Sequence, residues 1–155
     1  TSMLIMMEVL RSKLSENSRE GKWTHLYIDE FHELLGIDQI AAFVVKLWKE
    51  IRKLLGCACG ISQNMSDLLN EDNAGRLSAI LSNTECFALL AQSSIDKLMQ
   101  FLPNISPAMF NYVDNAESGT GLLKMGSVVI PFDIRMSKES EIYEIVNTDG
   151  GSYAV

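Results

Sequence analysis

The segment most informative about the fold is Trp23-Thr24-His25-Leu26-Tyr27-Ile28-Asp29-Glu30. Aromatic and β-branched residues favour an extended strand, and this one stops at two carboxylates. We therefore predict a strand over residues 23–30 with an acidic pair at its carboxyl end. Ligands of open parallel sheets bind outside the carboxyl ends of the strands, so this pair is a candidate site. The same pair also suits the start of a following helix, where the helix dipole favours negative charge.

A long amphipathic helix and a second strand follow the acidic pair. Apolar residues recur at helical spacing over Ile37–Leu55, and Gly56 suits the position just after a helix end. The next apolar run predicts a short buried strand over residues 57–63 that ends at Gln63. Strands joined by one right-handed crossover helix commonly lie side by side, so Gln63 is expected to emerge next to the two carboxylates.

The remaining segments continue the alternation of helices and strands. Residues 2–14 predict a largely buried helix, residues 16–22 a loop, residues 86–91 a third strand and residues 119–133 a hairpin. Further helices are predicted over residues 65–69, 74–81, 94–101, 107–113 and 139–146, with Ser93 and Ser106 as N-caps of the third and fourth of these. This order predicts an α/β layered domain with a largely parallel sheet.

Composition limits the classes of protein that this chain can represent. The 155 residues are 47% hydrophobic and 21% charged, which favours one folded domain and excludes intrinsic disorder. The net charge of −7 argues against a broad basic surface for nucleic acid. No apolar run approaches the roughly 20 residues that a membrane-spanning helix needs, so none is predicted.

The three cysteines predict no metal site. Cys57 and Cys59 lie on one face of the second predicted strand, and Cys86 begins the third. A zinc site needs four ligands at spacings that this chain lacks, so no structural metal is predicted. We expect all three thiols to be small buried apolar groups in a reducing compartment.

The acidic pair and the glutamine suit the hydrolysis of a nucleoside triphosphate. Asp29 could hold Mg²⁺, directly or through a water molecule, while Glu30 polarises the attacking water. The neutral amide of Gln63 could orient that water or contact the γ-phosphate without adding charge. Considered alone, Gln63 is better explained as a solvated residue that starts a turn.

Three groups of residues carry a resemblance to a known family. In order they are Tyr27-Ile28-Asp29-Glu30-Phe31-His32-Glu33-Leu34-Leu35, Glu50-Ile51-Arg52-Lys53, and Gly60-Ile61-Ser62-Gln63-Asn64 with Asp67-Leu68-Leu69. This order resembles the conjugative-transfer ATPases of type IV secretion systems, the VirB/TraC/TraE-like motors of the RecA/HerA-like P-loop class. The match continues through the third strand and the hairpin, from Leu4 to about Tyr143.

The resemblance implies roles for particular residues, with ATP and Mg²⁺ as cofactors. Asp29 and Glu30 match the family's Walker B pair, with Asp29 on the magnesium side, and Gln63 matches its sensor glutamine. Arg52 matches a basic residue on the intervening helix, and in this class an arginine often reaches the triphosphate of a neighbouring subunit. A charge on a solvated helix face is the alternative for Arg52, and Arg76 is a weaker candidate for the same role.

The chain departs from the family at the phosphate-binding loop. That loop needs G-x-x-x-x-G-K-[ST], and Gly21-Lys22, the one Gly-Lys pair, is followed by Trp23 and preceded by Glu16 at the first glycine position. The expected fold is therefore the C-terminal half of a RecA-like P-loop NTPase domain over residues 1–155, with the Walker A half upstream or absent. Such a fragment is expected to hydrolyse little ATP, expose two sheet edges and self-associate.

The resemblance implies a fragment of an ATP-hydrolysing motor that powers substrate transfer or the assembly of a pilus or channel. It also implies a hexamer in the full-length protein, contacts with other channel subunits, and a place at the cytoplasmic face of the bacterial membrane. A DNA contact is not evident, because the basic residues of the long helix are ordinary for a solvated face. The alternative is an interaction module without catalysis, with an adaptable surface lined by Met3, Met6 and Met7.

Overall fold

The computed structural model describes residues 2–63, 73–92, 95–102 and 104–146. Seven helices and five strands follow one another in these ranges. They are α1 (Ser2–Arg19), β1 (Thr24–Ile28), α2 (Phe31–Leu35), α3 (Asp38–Glu50) with a 3₁₀ turn over Ile51–Leu54, β2 (Gly56–Gly60), α4 (Ala74–Leu81), β3 (Cys86–Leu89), α5 (Ile95–Phe101), α6 (Pro107–Asp114), β4 (Thr120–Met125), β5 (Val128–Asp133) and α7 (Glu141–Val146). The predicted α/β class is confirmed.

Strands β1 and β2 form a parallel pair that positions the candidate site. Thr24 lies opposite Gly56 at one end of the ladder, and Ile28 lies opposite Gly60 at the other. Beyond that end, the Ile61 amide donates to the Ile28 carbonyl at 2.8 Å. The two carboxyl ends therefore meet at one edge, as the crossover through α3 predicts.

Strands β3, β4 and β5 form a separate antiparallel sheet in that order. Cys86 lies opposite Met125, which in turn lies opposite Val128 across a tight turn at Gly126, whose φ is +55°. The expectation of a largely parallel sheet is wrong for the described residues, where one strand pair is parallel and two are antiparallel. The two-residue connection between β4 and β5 permits only antiparallel pairing of these strands. Strand β3 also runs antiparallel to β4.

Two main hydrophobic clusters stabilise the two sheets. The first joins α3 to helices α1, α2 and α4 through the buried side chains of Met7, Phe31, Leu35, Ile40, Ala41, Val44, Trp48, Leu77 and Ile80. The second packs α5 and α6 against β3 and β4 through Leu89, Leu98, Leu102, Ile105, Phe110, Val113 and Leu122. Each sheet is thus covered by helices on one face, with the apolar stripes of those helices turned inward.

Helix α1 differs from the sequence prediction in length and in burial. It continues to Arg19, through the start of the predicted loop, because its last turn is tied to β1. The Asn17 side-chain amide donates to the Thr24 hydroxyl at 2.9 Å. Only one face of the helix packs on α3, so Ile5 and Val9 are more than 60% exposed. The prediction of a largely buried helix is therefore wrong.

The expected burial of the cysteines is also wrong. Cys57, Cys59 and Cys86 are all exposed. Leu26 and Ala58 lie on the helix-covered face of the parallel pair, whereas Cys57 and Cys59 alternate onto the other face. That face is open in the described part of the chain.

Among the other helices and strands, some of the predicted bounds agree with the structure and others do not. Helix α4 begins and ends where the spacing predicts, and Ser106 caps α6 by accepting from the Met109 amide at 3.4 Å. The strands end earlier than predicted, with β1 stopping at Ile28, β2 at Gly60 and β3 at Leu89. The predicted helix over residues 65–69 and the Ser93 cap lie outside the described residues. None of the described helices is long and apolar enough to span a membrane.

Candidate functional site

A sharp turn at the carboxyl end of β1 presents the acidic pair. Glu30 has left-handed backbone angles, with φ of 47° and ψ of 45°, and its amide donates to the Asp29 Oδ1 atom at 2.9 Å. This conformation costs about 1–2 kcal/mol for a residue other than glycine, so surrounding contacts must enforce it. The Phe31 amide, which donates to the Ile61 carbonyl at 2.8 Å, is one of them.

The structure brings Gln63 and Glu30 into direct contact. The Gln63 Nε2 atom donates to the Glu30 Oε1 atom at 2.5 Å, across the edge where β1 and β2 both end. Both residues belong to connections that leave the sheet on the same side, so their proximity follows from the parallel register. The predicted neighbourhood of the carboxylate and the amide is therefore present.

His32 joins this cluster, although the sequence did not single it out. Its Nδ1 atom lies 3.5 Å from the Glu30 Oε2 atom and 3.3 Å from the Ser62 hydroxyl oxygen. Its Nε2 atom lies 3.7 Å from the Glu33 Oε1 atom. Residues two apart on a helix do not normally meet. The left-handed turn at Glu30 makes this contact, and no sequence signal predicts such a turn at a glutamate.

Packing beneath the cluster holds the turn against β2. Phe31 is buried, and its ring centroid lies 4.9 Å from that of Trp48. A Cβ atom on Gly60 would come within 2.8 Å of the Phe31 ring. Glycine is therefore required at the end of β2, because a larger residue would displace the ring that anchors the first turn of α2.

The site keeps its negative charge. Neither Asp29 nor Glu30 forms an ion pair with a lysine or arginine among the described residues, and the Glu30 side chain is 44% exposed. No group of three or more potential metal ligands occurs in the part of the chain that the structure describes. Asp29 would thus contribute a single carboxylate to a metal, which suits Mg²⁺ because that ion binds through one or two carboxylates plus substrate phosphates.

Arg52 lies at the other end of the parallel pair. It is exposed in the 3₁₀ turn before β2, where the Thr24 amide donates to the Leu55 carbonyl at 3.0 Å. Five strand residues separate this end from Glu30, which amounts to roughly 15 Å. The structure does not bring Arg52 into the cluster of its own chain.

Arg76 is engaged in contacts that join three helices. Its Nη1 atom donates to the Leu35 carbonyl at 3.0 Å and to the Asn73 side chain at 3.3 Å, and its Nη2 atom pairs with Asp38. These contacts tie α4 to the connection between α2 and α3. Arg76 therefore acts as a structural link in the described chain.

This fold and sequence order are similar to those of an ATPase of the type IV secretion systems. VirB4 of Thermoanaerobacter pseudethanolicus is a solved structure similar to 84% of this chain, with a TM-score of 0.70 and 29% sequence identity. The similarity confirms the resemblance found in the sequence. The chain spans 36% of the length of that VirB4 chain. No family model and no curated protein matches it.

Proposed function

We propose that the chain is the C-terminal part of an ATP-hydrolysing motor domain from a type IV secretion or conjugation apparatus. The motor powers substrate transfer or the assembly of a pilus or channel. The observation that carries this proposal is the 2.5 Å contact between Gln63 and Glu30 at the carboxyl edge of a parallel strand pair. Similarity to VirB4 over most of the chain supports the same reading.

The proposed roles divide the chemistry among three side chains. Asp29 holds the magnesium ion, directly or through a water molecule, and that ion neutralises charge on the β- and γ-phosphates when it is bound. Glu30 polarises the attacking water, since its carboxylate is solvent-accessible and pairs with no lysine or arginine in the described structure. Gln63 orients the same water through an amide already directed at Glu30.

In this proposal, the phosphate-binding loop belongs to a segment outside these 155 residues, which contain no G-x-x-x-x-G-K-[ST] sequence. We propose that its strand lies between β2 and β3 and joins the two sheets. Within the described residues, β2 pairs only with β1 and β3 only with β4, so each offers an open edge. The uncovered faces also expose Tyr27, Met125 and Val128, each by more than half. Surfaces of this kind drive association.

Assembly into a ring supplies the remaining charge in this proposal. Arg52 lies at the edge opposite Glu30 and is exposed, so it is placed to act on a neighbouring subunit rather than on its own. An arginine supplied in this way stabilises the charge of phosphoryl transfer. We propose a hexamer that contacts other channel subunits at the cytoplasmic face of the membrane.

The substitution Glu30→Gln tests the proposed catalytic function. The protein to use is the product of the complete reading frame that contains this chain. We expect ATP turnover to fall by about 10²–10⁴-fold, because general-base assistance is lost, while nucleotide binding persists. Glu139→Gln is the matched control, since Glu139 is exposed and lies between β5 and α7, outside this cluster. Unchanged turnover in Glu30→Gln would contradict the proposal.

A module that only mediates interactions is the competing function, and the uncovered apolar faces favour it. The sequence upstream of Thr1 separates the two possibilities. A G-x-x-x-x-G-K-[ST] motif there supports the motor, because that loop cradles the phosphates. An unrelated domain in its place supports the interaction module.

A further inference from the structure

Both oxygens of the Glu30 carboxylate face a side-chain nitrogen. Gln63 donates to Oε1 at 2.5 Å, and the His32 Nδ1 atom lies 3.5 Å from Oε2. A carboxylate that rotates freely is oriented towards a water molecule only part of the time. A carboxylate with a hydrogen-bond donor at each oxygen keeps a single orientation. The second of these contacts has no role in the function proposed so far.

Two carboxylates flank the His32 ring, and the nearer one favours a proton on Nδ1, because the Glu30 Oε2 atom lies 3.5 Å from Nδ1 whereas the Oε1 atom of the more exposed Glu33 lies 3.7 Å from Nε2. The Glu30 carboxylate can only accept hydrogen bonds, and the Ser62 hydroxyl, 3.3 Å from the same nitrogen, can accept as well as donate. The His32 side chain is 21% exposed, so most of the ring is buried. His25, the other histidine, is exposed on the open face of β1. The two histidines thus differ in burial, and a positioning role needs a side chain that its surroundings hold in place.

We propose that His32 is a positioning residue for Glu30. Its Nδ1–H group holds the Oε2 atom, so that Oε1 stays directed at Gln63 and at the attacking water. The contact shortens to a full hydrogen bond when the nucleotide closes the site, as catalytic contacts commonly do. This inference rests on the proposed hydrolytic role of Glu30, and it adds a residue that does not itself touch the substrate.

Three substitutions at one position separate a hydrogen-bonding role from a packing role. In the product of the complete reading frame, His32→Ala is expected to lower kcat by about 10- to 100-fold with KM nearly unchanged. His32→Asn places an amide nitrogen near the Nδ1 position and is expected to restore most of the activity. His32→Gln places its amide near the Nε2 position and is expected to remain impaired. His25→Ala is the control and is expected to be neutral.

The outcomes distinguish this inference from the proposed function. If Glu30→Gln leaves turnover unchanged, the proposed function fails. If Glu30→Gln abolishes turnover while His32→Ala retains wild-type kcat, only the positioning role is overturned. Equal activity of His32→Asn and His32→Gln would also overturn it, because only the Asn amide lies near the Nδ1 position. Should His32→Ala fail to fold, the comparison of Asn with Gln still decides the question.

Discussion

Two groups of carboxylates lie near strand ends in this molecule, and their partners differ. At the end of β5, Arg135 pairs with Asp133 and with Glu117, each at 2.6 Å. The Arg135 hydrogen bonds lower the pKa of Asp133 from 3.8 to about 2. At the end of β1, Glu30 instead meets the neutral amide of Gln63 and the imidazole of His32. An arginine partly neutralises the carboxylates of the first region, whereas no lysine or arginine pairs with those of the second among the described residues.

The difference separates a structural use of carboxylates from a functional one. An ion pair holds the strand end but reduces the charge that is available to a ligand. Carboxylates without a lysine or arginine partner keep more of their charge, as a site for a divalent cation requires. The retained charge needs another means of fixing the turn, and the buried Phe31 ring against Gly60 provides it. Packing therefore holds the β1 end, whereas surface ion pairs hold the β5 end.

The substitution Phe31→Ala gives the largest expected effect on this comparison. Phe31 is 4% exposed, and its loss leaves a cavity beside Trp48, so we expect destabilisation of about 3–5 kcal/mol. Urea unfolding followed by tryptophan fluorescence measures this loss. Equal destabilisation by Arg135→Ala would contradict the claim that packing holds the β1 end and surface ion pairs hold the β5 end.

A smaller loss is expected from Gly60→Ala. The new Cβ atom would meet the Phe31 ring at 2.8 Å, and overpacking of this kind costs about 1–3 kcal/mol. Gly75→Ala is the matched control, because nothing lies within 4 Å of its added Cβ atom in α4. We expect the control to be neutral or more stable by up to about 1 kcal/mol. A stable Gly60→Ala variant would show that the Phe31 ring is not confined there.

Isolated in solution, the 155-residue chain is expected to self-associate. Open strand edges at β2 and β3 and the exposed apolar residues beside them favour pairing with another copy. Light scattering at increasing concentration measures the mass. A monodisperse monomer over the whole range would contradict the proposal that a further strand completes the sheet.

The smallest effect is expected from pH at the β5 end. The pKa of Asp133 is lower in the folded chain, so its contribution to stability is fully present above pH 3.8 and disappears as the pH falls towards 2. Asp133→Asn should therefore flatten the pH dependence of unfolding between pH 4 and 2. Solvent screens this exposed pair, so the change is small. Asp114→Asn is the control, and an identical pH profile for both variants would contradict the role of Arg135.

Strong local patterns predict much of the framework. The apolar spacing over Ile37–Leu55 predicts α3, and Ser106 with Pro107 predicts the start of α6, because both signals act within a few residues. The parallel neighbourhood of Gln63 and Glu30 follows from a handedness rule that needs only the order of the elements. These features could be read from the chain alone.

Features that depend on tertiary contacts could not be predicted in this way. The left-handed backbone at Glu30, and with it the approach of His32, is enforced by contacts from β2 and has no local sequence signal. The exposure of Ile5 and Cys57 depends on which faces receive a second layer, and periodicity does not say how many faces are covered. The division of the strands into two sheets also depends on tertiary contacts, and no local sequence signal predicts it.

The most direct measurement is a structure of the complete reading-frame product with Mg²⁺ and a non-hydrolysable ATP analogue. We predict that Asp29 lies in the coordination shell of the ion, directly or through water, and that Glu30 and Gln63 flank the water that faces the γ-phosphate. A nucleotide bound elsewhere, with the carboxyl edge of β1 and β2 empty and facing solvent, would contradict the proposed site.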